Sequence, residues 1–158
     1  MIKGKKELTF QQAKDKALRL LEFRAHSEKE LRDKLLRAGA KEEDLTEITD
    51  FLKRYSFIND ADYAERLARD LKKLKKYGKR RIRRELSAKG IADECAQAAL
   101  DGLVDDETDV LLPLIEKKLG GNFEKKSIDK TIRYFMYRGY GFGDIKHCIE
   151  QITAQSLE

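Results

Sequence analysis

A glycine that closes a predicted amphipathic helix recurs along this chain at intervals of 51 and 49 residues. The three glycines, each with an apolar residue four positions before it, are Gly39 with Leu35, Gly90 with Leu86, and Gly139 with Phe135. Glycine is favoured there because it adopts the left-handed backbone that ends many helices at the least cost. A period of roughly 50 residues indicates an internal repeat, because a unit of that size needs its neighbours to bury its apolar stripe.

The pattern of the first unit predicts three helices. Apolar residues at helical spacing predict the first helix over Gln11–Arg24. The second begins after Ser27, where Glu30 completes a capping box, and it ends at Gly39. The third follows between residues 41 and 57, with acidic residues in its first turn and basic residues in its last, as the helix dipole favours.

The same succession recurs twice more, so we predict an all-α fold of three tandem three-helix repeats stacked into an elongated, bowed array. The predicted repeats span residues 10–57, 58–104 and 105–155, and the second carries a strongly basic segment. A single proline, no tryptophan and abundant Leu, Ala, Glu, Lys and Arg agree with a helical chain.

The cysteines indicate the compartment. Cys95 and Cys148 are far apart and show no paired spacing, which favours a reducing cytoplasm over a disulfide-forming environment. The first residues lack the apolar stretch of a signal peptide, and no apolar run approaches the roughly 20 residues of a membrane span. We therefore predict a cytoplasmic monomer with no membrane association.

The basic segment KKLKKYGKRRIRR, Lys72 to Arg84, is the main candidate for a binding site. Nine of its thirteen residues are Lys or Arg, so the segment carries +9 while the whole chain carries a formal charge of +5. The rest of the chain is therefore mildly acidic, and this asymmetry points to a partner. The predicted contact residues are Lys72, Lys73, Lys75, Lys76, Tyr77, Lys79, Arg80, Arg81, Arg83 and Arg84.

Three interpretations of this segment remain open from the residues alone. The first interpretation is a solvated helix face. Such a face normally mixes positive and negative side chains to form ion pairs four residues apart, and this segment has no acidic residue with which to form them. A nucleic-acid contact would use the lysines as point charges, the arginines as phosphate forks and Tyr77 as a stacking ring. An acidic protein surface would also attract the segment. Gly78 would bend the chain, so that the charges line a corner between two helices.

Catalytic and metal motifs are weak in this sequence. His147 and Cys148 are adjacent and would point to different helix faces, whereas a metal site needs three or four converging ligands. The glycines of GYGFG, residues 139–143, follow a predicted helix and not a strand, so they do not form a dinucleotide-binding loop. Since no nucleophile lies in a recognisable set with a base, we predict a protein that is not an enzyme and holds no metal or cofactor.

Four stretches together resemble the RecX family, the bacterial regulators of the recombinase RecA. They are ALRLLEFRAHSEKELRDKLLRAG, FINDADYAERLARD, YGKRRIRRELSAKGI and YRGYGFGDIKHCI, and they lie in this order between about Ala17 and Ile152. The positions that match the family signature are Asn59, Asp60, Tyr63, Ala64, Gly78, Ile82, Leu86, Lys89, Gly90 and Ile91. Gly141 departs from the family pattern, because a Ser or Thr is expected as the cap of the last helix.

The resemblance implies three tandem three-helix repeats and a function in recombinational DNA repair and the SOS response. It implies binding to RecA and to the RecA filament on single-stranded DNA. It also implies that filament growth, ATPase, strand exchange and coprotease activity are mainly inhibited, and that DNA is bound directly. We predict that the basic segment makes the DNA contact. Two rivals remain: a helix-turn-helix-like DNA-binding protein that acts without RecA, and a helical adaptor for an acidic protein.

Overall fold

The computed structural model describes residues 6–104 and 106–158, and within them every regular element is an α-helix. The helices are α1 (Phe10–Phe23), α2 (Glu28–Ala38), α3 (Glu42–Arg54), α4 (Asp60–Lys75), α5 (Lys79–Ala88), α6 (Asp93–Asp101), α7 (Glu107–Leu119), α8 (Lys125–Tyr137) and α9 (Phe142–Ser156). Asp105, the first residue of the third predicted repeat, lies outside the described residues.

Local chemistry sets the boundaries of α2. The Ser27 hydroxyl accepts a bond from the backbone N–H of Glu30 at 3.2 Å, and the Glu30 carboxylate accepts one from the Ser27 N–H at 3.4 Å. Gly39 ends the helix with φ of 109°, in the left-handed region that favours glycine. The predicted capping box and glycine cap are therefore confirmed.

Each group of three helices surrounds its own apolar core. Ala17, Leu35 and Ile48 are fully buried in the first core. The second and third cores contain the corresponding residues of α4–α6 and α7–α9, among them Ala68, Ile82 and Leu86, and then Ile115, Phe135 and Ile145. The predicted all-α fold of three three-helix repeats is confirmed.

The accessible surface indicates that these repeats are not packed into one sphere. It measures 10,672 Å² for a chain of 18.3 kDa. A compact monomer of that mass exposes about 8,100 Å². The excess agrees with separate cores arranged in a row, which is the elongated array that the repeat pattern predicts.

One core residue bears on the repeat boundaries. Ile58, which follows the predicted first repeat of residues 10–57, is 4% exposed and packs into the first core. We therefore propose that the first repeat extends to Ile58 and that the second begins at Asn59, the N-cap of α4.

The two junctions between repeats use the same first contact. At each junction, the first N–H of the earlier repeat's second helix donates to a carboxylate at the start of the next repeat. Glu28 N–H donates to Asp60 at 2.8 Å, and Lys79 N–H donates to Glu107 at 2.5 Å. In both cases the contact satisfies an N–H that the helix itself leaves unpaired.

A second shared contact joins the N-cap of that helix to the C-cap of the next repeat's second helix. The Ser27 hydroxyl donates to the Lys89 carbonyl at 2.7 Å at the first junction. The Gly78 N–H donates to the Arg138 carbonyl at 2.9 Å at the second. The second helices of the three repeats are thus linked end to end.

At the start of the row, Leu8 N–H donates to the Gly39 carbonyl at 2.9 Å, so the N-terminal segment covers the free end of α2.

The Glu30 carboxylate accepts hydrogen bonds from three side chains at the first junction. It accepts from Arg24 at 2.7 Å, from Lys89 at 3.3 Å and from the Tyr63 hydroxyl at 3.3 Å. Burial alone would raise the pKa of Glu30, but the bonds from Arg24 and Lys89 prevail and lower it to about 2. Two of the three partners belong to the second repeat, so the Glu30 charge holds the repeats together.

We predict that the first junction weakens in acid because of Glu30. The folded pKa is below the usual value of 4.5, so this stabilisation is complete above pH 4.5 and is lost as the pH falls towards 2. The free energy of unfolding, measured with urea at pH 6 and pH 3, should fall by about 2 kcal/mol more in the parent protein than in Glu30→Gln. The exposed control Glu22→Gln should behave like the parent. An identical pH dependence in the parent and Glu30→Gln would contradict this role.

Candidate binding surface around Gly78

The basic segment belongs to two helices, as predicted. α4 ends at Lys75, Lys76 caps it in a left-handed conformation with φ of 57°, and Gly78 is the N-cap of α5. The chain turns sharply between Lys76 and Lys79, so the charges before Gly78 and those after it lie on different helices.

The turn between Lys76 and Lys79 packs closely against the third repeat, and this leaves no room for a side chain at Gly78. A Cβ atom on Gly78 would lie 2.4 Å from the carbonyl oxygen of Gly139. A Cβ on Gly139 would lie 2.3 Å from the backbone nitrogen of Arg81, and φ of Gly139 is +102°. Since these neighbours are backbone atoms, neither position can accept a side chain without separating the second and third repeats.

Arg81 is a junction residue as well as a basic one. Its guanidinium carbon lies 4.8 Å from the ring centroids of both Tyr77 and Tyr137, and its Nε bonds to Glu85 at 2.8 Å. The side chain of Arg81 also donates to the Tyr137 carbonyl at 3.4 Å. Arginine between aromatic rings contributes a cation–π attraction in addition to hydrogen bonds. The predicted contact residues Tyr77 and Arg81 are thus engaged in holding α5 to α8.

Arg138 also lies against the Tyr77 ring. Its guanidinium carbon lies 5.0 Å from the Tyr77 ring centroid and 5.5 Å from that of Tyr134, and it donates to the Lys75 carbonyl. The Tyr140 hydroxyl donates to the Lys76 carbonyl at 2.7 Å. Burial raises the pKa of Tyr140 to about 12, so this hydroxyl remains a donor at neutral pH. The C-terminal end of α4 is therefore fixed by the third repeat.

The ten predicted contact residues differ in exposure. The five exposed ones are Lys73, Lys75, Lys76, Arg80 and Arg84, and the five half-buried ones are Lys72, Tyr77, Lys79, Arg81 and Arg83. The segment is therefore part of two folded helices and not a free tail, and half of its predicted contact residues are exposed.

Three arginines of α5 border a surface groove of 490 Å³. Arg80, Arg83 and Arg84 line it, together with Leu100 of α6 and Met136 of α8. Arg83 bonds to Gln97 of α6, and Arg84 donates to the Tyr137 carbonyl at 3.1 Å. The second and third repeats thus present these guanidinium groups on a rigid surface.

Lys76, the C-cap of α4, belongs to another surface. Lys76 lines a groove of 350 Å³ with Lys117 and Lys118 of α7 and Arg138 of α8. These three partners are functional candidates that the sequence prediction missed. The signal was present as a second pair of lysines at the end of a helix, but their nearness to Lys76 depends on how the repeats stack.

The remaining candidates for chemistry have structural explanations. His26 Nδ1 lies 2.9 Å from the Arg24 carbonyl, and its Nε2 lies 2.8 Å from Lys34 Nζ. Burial lowers the pKa of His26, so the ring is neutral, donates through Nδ1 and accepts from the Lys34 ammonium.

Cys95 and Cys148 are both free thiols. Among residues 6–104 and 106–158, no cluster of His, Cys, Asp and Glu could hold a metal. None of the helices in those ranges has the length and apolarity to cross a bilayer.

Two models of one protein family match this chain. They describe the first three-helix domain of RecX, which matches residues 13–52, and the second, which matches residues 59–100. Together they cover more than half of the chain, including all of α2, α4 and α5 and most of α1, α3 and α6.

Curated relatives and solved structures agree with this match. A regulatory protein RecX from Clostridium botulinum (strain Alaska E43) is 34% identical over 145 residues, 87% of this chain and 67% of that protein. One from Vibrio vulnificus (strain CMCP6) is 32% identical over 138 residues, 86% of this chain and 90% of that protein. The crystal structure of RecX from Lactobacillus salivarius has a TM-score of 0.80 and 26% identity, and the match covers 92% of this chain and 97% of that one.

We predict that Gly78→Ala separates the second and third repeats. The α5 backbone at Gly78 has φ of −77°, which alanine adopts freely, so the cost comes from the clash with Gly139. Overpacking of this kind costs about 1–3 kcal/mol, measured as a lower urea midpoint. Gly143→Ala is the matched control: a Cβ there meets nothing within 4 Å, and alanine should stabilise α9 by about 0.5 kcal/mol. Equal midpoints for the two variants would show that the junction tolerates a methyl group.

Proposed function

The chain belongs to the RecX family, and from this premise we propose that it is a non-enzymatic regulator of the recombinase RecA. It binds RecA and the RecA filament on single-stranded DNA, and it mainly inhibits filament growth, ATPase, strand exchange and coprotease activity. This places it in recombinational DNA repair and the SOS response. The relatives described as regulatory proteins support the regulatory role, and the resemblance to RecX supports RecA as the target.

The observation that carries this proposal is the rigid cationic face of α5. Arg80 and Arg84 are exposed, Arg83 lies between them on the same groove, and the helix below is anchored by the buried residues Ile82 and Leu86. Guanidinium groups held at fixed positions suit the phosphates of a filament-bound strand, because little side-chain freedom is lost on binding. The α5 face is therefore the proposed contact with the filament.

We propose that the basic segment contains residues for contact and residues for support. Arg80, Arg83, Arg84 and the exposed lysines are available to a partner, whereas Tyr77 and Arg81 already hold the third repeat. Replacing Arg81 would therefore change both binding and stability. Arg80 and Arg84 are exposed and give the cleaner test, in which one bond, from Arg84 to the Tyr137 carbonyl, is lost.

The helix-turn-helix rival is less well supported for this helix. A recognition helix of that class reads base edges with its N-terminal residues in the major groove. The N-terminus of α5 is covered, because Gly78 N–H bonds to Arg138 and Lys79 N–H bonds to Glu107. The exposed Arg80 could still meet a phosphate, but the N-terminal backbone of α5 is not open to a major groove.

We also propose that the protein acts in the cytosol as a monomer. The free thiols of Cys95 and Cys148 agree with a reducing compartment. No cofactor is needed for the proposed activity, which consists of binding.

The proposal is tested by the ATPase activity of RecA on single-stranded DNA. Adding this protein should lower the rate, and Arg80→Glu with Arg84→Glu should weaken that inhibition about tenfold or more in half-maximal concentration. The salt dependence of filament binding should also become shallower, by about one or two in the log–log slope.

The control for this experiment is Arg66→Glu with Arg133→Glu, which makes the same charge change at exposed positions on α4 and α8. This variant should inhibit like the parent protein. An unchanged RecA ATPase rate at several-fold excess of the parent protein would reject the proposed function. Equal inhibition by both double variants would reject only the α5 face.

A further inference from the structure

Three helix C-termini converge on the groove that contains Lys76. Lys76 is the C-cap of α4, Lys117 and Lys118 occupy the last turn of α7, and Arg138 is the C-cap of α8. These four residues line one groove of 350 Å³ with Leu114, Tyr134 and Phe135. Among the residues that the structure describes, none of those that line it is acidic. We call this groove the C-terminal cleft.

The C-terminal cleft has more positive side chains than are needed to balance the negative ends of the three helix dipoles. Each helix C-terminus carries the equivalent of roughly half a negative charge, so three of them contribute about −1.5. The four cations contribute about +4, which leaves a surplus of roughly 2.5 positive charges. Since Arg138 already bonds to the Lys75 carbonyl, the cations most accessible to a partner are Lys76, Lys117 and Lys118, all of which are exposed.

The walls of the C-terminal cleft favour a peptide over a nucleic-acid strand. Single-stranded nucleic acid is held by free aromatic faces as well as by charge. The Tyr134 ring already has Lys118 Nζ at 4.3 Å and the Arg138 guanidinium carbon at 5.5 Å from its centroid. The other lining residues are the half-buried Leu114 and the buried Phe135, which suit an aliphatic side chain.

We propose that the C-terminal cleft binds a short acidic peptide segment of a partner protein. Two or three carboxylates of the segment pair with Lys76, Lys117 and Lys118, and one apolar side chain between them lies against Leu114. Charge complementarity steers the segment to the cleft, and burial of the apolar side chain adds affinity that salt does not screen.

This inference goes beyond the proposed function. Lys117, Lys118 and Arg138 lie outside the basic segment, and the cleft lies on the α7–α8 side of the junction, away from the arginine groove of α5. A partner could therefore be held at two places, with a peptide at the cleft and a charged strand at α5.

The test uses the full chain and a synthetic probe. The probe is the peptide Glu-Asp-Leu-Asp-Glu with an uncharged fluorescent label, and binding is measured by fluorescence anisotropy. We expect the parent protein to bind it and Lys117→Glu with Lys118→Glu to bind it about tenfold or more weakly. The neutral peptide Gln-Asn-Leu-Asn-Gln should not bind.

The matched control variant is Lys125→Glu with Lys126→Glu, which reverses two exposed charges at the start of α8 in the same repeat. It should bind the acidic probe like the parent protein. Equal loss in the two double variants would overturn the proposal, because only net charge would then matter. A probe that does not bind, beside a short oligothymidylate that binds and depends on Lys117 and Lys118, would also overturn it in favour of nucleic acid.

Binding of the acidic probe at the C-terminal cleft can be distinguished from inhibition of RecA through α5. The Arg80→Glu, Arg84→Glu variant keeps the C-terminal cleft intact, so it should bind the acidic probe normally while its inhibition of RecA is weakened. Loss of probe binding in that variant would place the peptide on α5 and overturn the assignment to the cleft.

Discussion

The arrangement of the whole chain depends on the docking of the second helix of one repeat onto the second helix of the next. At both junctions an N–H at the start of the earlier helix meets a carboxylate, Asp60 or Glu107, and an N-cap group meets a C-cap carbonyl. These contacts satisfy backbone groups that a helix cannot satisfy itself. Because each repeat has its own core, the junctions alone fix how the binding surfaces lie relative to each other.

Much of this fold could be predicted from the sequence, because it depends on local signals. The capping box at Ser27 and Glu30, the glycine at position 39 and the apolar spacing are all read within one helix. The junction partners could not be predicted, since Asp60 and Glu107 look like ordinary acidic residues in a first helical turn. Their second role appears only when the neighbouring repeat is in place.

In the candidate site, too, the local features could be predicted from the sequence and the contacts between repeats could not. The sequence located the basic segment and its bend at Gly78, and both depend on residues close together in the chain. It did not distinguish Arg80, which is exposed, from Arg81, which is held between the rings of Tyr77 and Tyr137. It also missed Lys117 and Lys118, because their distance from Lys76 is set by tertiary packing. A charge run thus indicates that a site exists but not which of its charges support the fold.

The separate cores also bear on how the chain folds. Each core draws on about 45 consecutive residues, so most of the apolar contacts form between segments close in sequence, and such topologies fold fast. A ribosome releases the first repeat before the others, and that repeat can bury its core at once. Its free α2 end is already covered by the N-terminal segment through Leu8 and Gly39. Each later repeat then finds a finished neighbour on which to dock, so the array is built in the order in which it is synthesised.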